Sequence, residues 1–267
     1  MSTRVHVGEA LRGFVKSGII GEWYSEDAEM AAHAAPVNPD DPLEYLPGKC
    51  SGGDDDLIIY NGDVGRRPLY RPADGLNGYP AIWFGDGYWT GAESFSEPVA
   101  GTLIPGGEYQ DITVFAVAKI LTTVQVNFLG IMGVYDGGGN GRWGLDGLGL
   151  DGRNRFIMSA NGWGGTIAET DDVLENDGAF HVIVGQQSDT YDAGGGAMWA
   201  TYRIWVDGIL NAEELCRTDK TDDGYFCIGN LYRAQPMYWL CGMLYNAVLD
   251  SDAVIFNSGE LATRYGL

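Results

Sequence analysis

Residues 180–208 read FHVIVGQQSDTYDAGGGAMWATYRIWVDG, and this stretch decides the fold class. Over its last part, Met198, Ala200, Tyr202, Ile204 and Val206 alternate with Trp199, Thr201, Arg203, Trp205 and Asp207. Successive side chains of an extended chain point to opposite sides, so a period of two with one apolar set predicts a strand lying on a core. Phe180, Val182 and Val184 repeat the pattern upstream, and the Gly-rich segment 192–196 lets the chain reverse between them. The stretch is therefore expected to be an antiparallel pair. Its second face carries Trp199, Arg203, Trp205 and Asp207 rather than an ordinary solvent face. Aromatic rings stack on the apolar faces of pyranoses while Arg and Asp hydrogen-bond hydroxyls, so these four are candidate glycan-binding residues. The plain alternative is packing against a loop or another subunit, because interfaces also concentrate Trp and Arg.

Working outward, 41 Gly, 15 Tyr and 8 Trp in 267 residues point to many short strands with tight turns in one all-β domain. A formal net charge of −21 repels phosphate backbones and excludes nucleic acid as a partner. No segment has the roughly 20 apolar residues of a membrane span. The first residues lack the apolar core of a Sec signal, which leads to the expectation of synthesis in a cytoplasm. The four cysteines, Cys50, Cys216, Cys227 and Cys241, are too scattered for a disulfide scaffold or a zinc site. Free buried thiols are expected, with a Cys216–Cys227 cross-strand bridge as the alternative.

Strands are expected at 19–24, 57–60, 81–84, 111–120, 237–248 and, paired with 111–120, at 124–135. The segment 111–120, DITVFAVAKI, is apolar on both faces and should be covered on both. Hairpins are expected from 66 to 91 and over 155–169. Residues 25–53 are rich in Pro and acids and read as a surface loop. After Leu249, Ser251 or Asp252 would cap a short terminal helix that Gly259 interrupts.

Residues 1–18 form an arm with Arg4, Arg12 and Lys16 against Glu9, in a chain that is otherwise acidic. Val7, Leu11, Arg12, Phe14 and Val15 are the candidate attachment residues: apolar groups at a chain end call for a covering partner, and exchange between identical copies supplies one. Asp136, Asp146 and Asp151 are calcium candidates where acidic turns converge, although solvated Asp-Gly turns explain them as well. No cofactor other than calcium is indicated.

Several segments in order resemble the concanavalin A-like lectin/glucanase superfamily in its laminin-G-like branch. They are Glu22-Trp23-Tyr24, Arg67-Pro68-Leu69-Tyr70, Leu76-Asn77-Gly78 before Ala81-Ile82-Trp83-Phe84, residues 113–118, His181-Val182-Ile183, Ile204-Trp205-Val206-Asp207-Gly208, Ile228-Gly229, Gly242-Met243-Leu244-Tyr245, Leu249-Asp250 and residues 261–267. The resemblance covers the chain from residue 19 and implies an antiparallel two-sheet jelly-roll sandwich with an N-terminal arm and a short C-terminal helix. Residues 25–65 depart from it. Glycosidases of this fold carry Glu-x-Asp-x-Glu on one strand face; the nearest approach here is Glu169-x-Asp171, followed by Val173, so no catalysis is expected. The expected role is a structural protein of a tailed-phage virion, a capsid decoration or a tail or fibre component, joined to other virion proteins or identical subunits through the arm and able to take a surface glycan. The alternatives are a secreted or cell-surface carbohydrate-binding module, extracellular in location, and a polysaccharide hydrolase.

Overall fold

The computed structural model describes residues 14–15, 17–30, 35–50, 55–59, 67–85, 95–96, 98, 103, 111–121, 129–135, 141–150, 153–160, 167–169, 178–192, 198–218, 224–229 and 237–267. The strands in chain order are β1 (Ile19–Tyr24), β2 (Tyr45–Leu46), β3 (Leu57–Ile59), β4 (Leu69–Arg71), β5 (Ala81–Trp83), β6 (Phe95–Ser96), β7 (Ile112–Ile120) and β8 (Leu129–Tyr135). They continue with β9 (Gly141–Leu150), β10 (Arg153–Ala160), β11 (Ile167–Glu169), β12 (His181–Asp192), β13 (Met198–Val206), β14 (Ile209–Thr218), β15 (Tyr225–Ile228) and β16 (Met237–Tyr245). One helix, α1 (Ser251–Tyr265), closes the chain.

The opening stretch folds as its pattern requires. Strands β12 and β13 pair antiparallel, Ile183 opposite Val206 and Gln187 opposite Tyr202. Asp207 and Gly208, both at positive φ (51° and 78°), form the two-residue turn into β14. Paired positive φ values give the turn whose twist matches that of the flanking strands, and Asp-Gly is the dipeptide that tolerates it. The first sheet runs β14-β13-β12-β7-β16-β5-β4, with β1 also on β16, and the second runs β11-β10-β9-β8-β15-β6-β3-β2. Between them lies the main core, where Trp23 of β1 stacks on Phe226 of β15 with ring centroids 5.1 Å apart.

Strand β7 is central, between β12 and β16. Val114, Ala116 and Ala118 face the second sheet, whereas Phe115 and Val117 face Val254, Leu261 and Tyr265 of α1. That is why residues 111–120 read as apolar on both faces. Helix α1 turns residues 254, 257, 258, 261 and 265 inward, the stripe that a period of 3.6 puts on one side. A buried chain of polar groups holds its entry: Trp205 Nε1 donates to Gln186 Oε1, and Gln186 Nε2 donates to the Leu249 carbonyl and to Thr113 Oγ1.

The structure corrects several expectations. Strand β8 does not pair with β7; it lies in the other sheet between β9 and β15, because the chain crosses the sandwich after β7. Residues 25–53 are not only a surface loop: Ala28, Leu43 and Leu46 are buried in the main core and β2 extends the second sheet. The helix cap is Asp250, whose side chain accepts from the Ala253 N–H at 2.8 Å, and α1 runs unbroken through Gly259. Phe14 is 7 % exposed and packs in the cluster beneath α1, while the Val15 N–H donates to Asn257 Oδ1. The inner end of the arm is thus covered by its own chain. Val7, Leu11 and Arg12 lie outside the described residues, as do residues 86–91 of the hairpin expected over 66–91. Cys216 on β14 and Cys227 on β15 belong to different sheets, and all four cysteines are free.

Candidate functional site

Across one end of the first sheet, three strands that are distant in sequence place a row of side chains on the face that carries α1. Tyr238 of β16 is the register partner of Trp83 on β5 and of Lys119 on β7. Lys119 lies between Ala118 and Ile120, which face the main core, so it shares the outer face with Val117. Ala81 and Trp83 share that face by the same alternation. The Trp83 and Tyr238 rings lie 4.7 Å apart at a tilt of 36°, and Lys119 Nζ stands 5.7 Å from the Tyr238 ring centre. All three are half-buried, which leaves each partly open to solvent.

Lys119 and Tyr238 of this row line a groove of about 990 Å³, with Trp83 packed against Tyr238 behind them. Its far wall is α1, through Ile255, Ser258, Gly259 and Ala262; its ends are the 73–76 segment and the Asp207-Gly208 turn. A Cβ built on Gly259 meets nothing within 4 Å, so the missing side chain widens the groove. Ser258 is 2 % exposed, and its Oγ has no partner among the described residues. At the turn, Asp207 Oδ2 lies 2.8 Å from His181 Nδ1 while Oδ1 accepts the Val182 N–H at 2.9 Å. The carboxylate is an acceptor only, which assigns the proton to Nδ1. Burial, followed by the negative charge of Asp74, raises the Tyr238 phenol above its usual pKa, with Arg71 acting in the opposite direction. At neutral pH its hydroxyl is therefore an intact donor and acceptor.

Of the four residues singled out, Trp199, Arg203 and Trp205 alternate along β13 and Asp207 follows it in the turn, and they do not form one exposed platform. Trp205 is 5 % exposed and packs beneath α1, Trp199 is half-buried at the far end, and Arg203 is ion-paired with Glu213 and donates to Ser188 Oγ at 2.7 Å. Asp207, at the turn, is the one that lines the groove. Asp136 and Asp151 lie outside the described residues, and Asp146 is within strand β9 rather than at a turn. Among the described residues, no group of three His, Cys, Asp or Glu could hold a metal ion. Glu169 ends edge strand β11, with Asp171 outside the described residues.

No family model and no curated protein matches the sequence. Solved structures do match in fold. A sialidase of Trypanosoma rangeli in complex with sialic acid is 14 % identical, with 92 % of this chain and 33 % of that chain covered at a TM-score of 0.54. Domain 4 of a GH43 extracellular arabinanase from Geobacillus stearothermophilus, in complex with arabinotriose, is 13 % identical, with 89 % and 96 % covered at 0.50. The binding domain of Paraclostridial Mosquitocidal Protein 1 is 10 % identical, with 92 % and 53 % covered at 0.53. The shared fold is a β-sandwich. This chain spans about a third of the sialidase's length.

These neighbours correct the expectation of a non-catalytic protein. It rested on the missing Glu-x-Asp-x-Glu, yet sialidases are among the chains that contain the same sandwich, over a third of their length. Sequence reasoning also missed Trp83, Lys119 and Tyr238 as a group. One signal was present: Lys119 is the single charge inside an otherwise apolar central strand.

Proposed function

We propose that this chain is a carbohydrate-binding β-sandwich and that the groove between α1 and the Trp83–Tyr238–Lys119 row is its site. The observation that carries the reading is the half-exposed Tyr238 ring, backed by Trp83 at 4.7 Å and lining a groove with fixed polar groups at its end. Such a surface offers apolar ring surface for packing and a phenol, an ammonium and a carboxylate–imidazole pair for hydroxyls. It is supported by neighbours of the same fold, one holding arabinotriose and one described as a binding domain. The test is binding on a glycan array, followed by titration calorimetry. Tyr238→Ala should weaken binding at least tenfold, as loss of a stacking aromatic of about 1.4 kcal/mol or more implies. Gly259→Phe should block the groove from the other wall. Full affinity in both variants, each with an unchanged melting temperature, refutes this site. Placement in a phage virion is drawn from the family resemblance together with the distinct N-terminal arm, and mass spectrometry of purified particles tests it.

A further inference from the structure

We infer that the groove selects a sugar that bears a carboxylate, with Lys119 as its counter-charge. The inference rests on the glycan-binding reading and names its ligand class. Among the described residues, Lys49, Arg67, Arg71, Arg203 and Arg264 each have a carboxylate within 4 Å. Lys119, whose side chain is also described, has no carboxylate within that distance among the described residues.

Acidic residues outnumber basic ones 37 to 16 in this chain, so an unpaired lysine is the arrangement that composition alone makes least expected. Lys119 is also in a costly place, the middle sheet strand, among residues that are almost all buried. A lysine is tolerated there when its stem lies along apolar surface and its head remains wet, and the groove supplies that wet end.

The acids nearest the site leave the charge uncancelled. Asp207, held by His181 and the Val182 N–H, and Asp74, exposed on the rim, both lie outside ion-pair distance of Lys119. The result is a directional site, an aromatic pair with a cation at one side. Nζ stands over the Tyr238 ring, 5.7 Å from its centre, so a pyranose packed in the groove against the open edge of that ring brings a substituent to the ammonium. A hydroxyl gives Lys119 an ordinary hydrogen bond, whereas a carboxylate gives a charge-assisted one about twice as strong.

The experiment uses the full chain and two matched probe pairs, polygalacturonate against its carboxyl-reduced polymer and sialyllactose against lactose. In at least one pair the acidic member should bind about tenfold tighter, the ratio expected when a charge-assisted bond replaces a neutral one. The preference should shrink between 50 mM and 500 mM salt. In Lys119→Gln the acid-to-neutral ratio should fall towards one, and Lys119→Arg should retain it. Circular dichroism and the melting temperature establish that both variants are folded. Equal binding of acidic and neutral members, or a ratio that persists in Lys119→Gln, overturns the inference and leaves glycan binding intact. No binding to these probes or to any array glycan overturns both.

Discussion

Replacing Arg264 by Met tests how α1, one wall of the groove, is held to the sheet. The guanidinium lies over Tyr24 at 4.4 Å and over Tyr79 at 4.7 Å, and it pairs with Glu26. Met keeps an apolar stem but removes the charge. Breaking a fully buried ion pair costs roughly 3–5 kcal/mol, because the surviving charge is stranded. Here the Arg264 and Glu26 side chains are 13 % and 25 % exposed, so solvent screens part of that and the low end applies. Each cation–π contact contributes roughly 0.5–1 kcal/mol besides. The sum is a loss of about 4–5 kcal/mol, which for a domain of this size lowers the melting temperature by about 8–20 °C.

The pH dependence has a definite sign. Burial raises the Glu26 carboxyl above its usual value, against the pull of Arg264. A raised folded pKa means stability that is full below the unfolded value and is lost as pH rises through the folded one. Without Arg264 the carboxyl rises further, so the penalty should be greatest near pH 7 and shrink towards pH 4. Adding Glu26→Gln to Arg264→Met should recover at least half of the loss. The assay is urea denaturation followed by circular dichroism at both pH values, on both single variants and the double. A loss below about 1 kcal/mol, an equal loss at both pH values, or additive single effects would refute the reasoning.

Gly259→Ala should stabilise the protein by roughly 0.5–1 kcal/mol, because Ala is the better helix former and its methyl meets open space; a lower melting temperature would mean that the position is crowded. Burial pushes the Cys241 thiol up to about 12 and the Cys216 thiol up to about 11. Both should therefore resist Ellman's reagent at pH 8 in the native protein, with four thiols titrating after denaturation; rapid native reaction of both would contradict the burial. These raised values make stability full below the unfolded thiol pKa near 9 and reduce it above that, by up to about 1.4 kcal/mol per pH unit for each thiol, as an alkaline denaturation series would read.

What the sequence determined by itself was local. Alternation in residues 198–207 identified β13 and its two faces, doubly apolar 111–120 identified a central strand, and Asp207-Gly208 had the chemistry of the turn that it forms. These follow from the side-chain period of a strand and from the few residues that accept positive φ. A period of two says that a strand has two faces but not what covers each one. Only the tertiary structure decided that α1 returns over the outer face, sealing Trp205 and Phe14 beneath it, and that β8 crosses to the second sheet. The candidate site belongs to the same class. Trp83, Lys119 and Tyr238 come from strands that pair across long stretches of chain, so their adjacency is a property of sheet order and register, which no local pattern encodes.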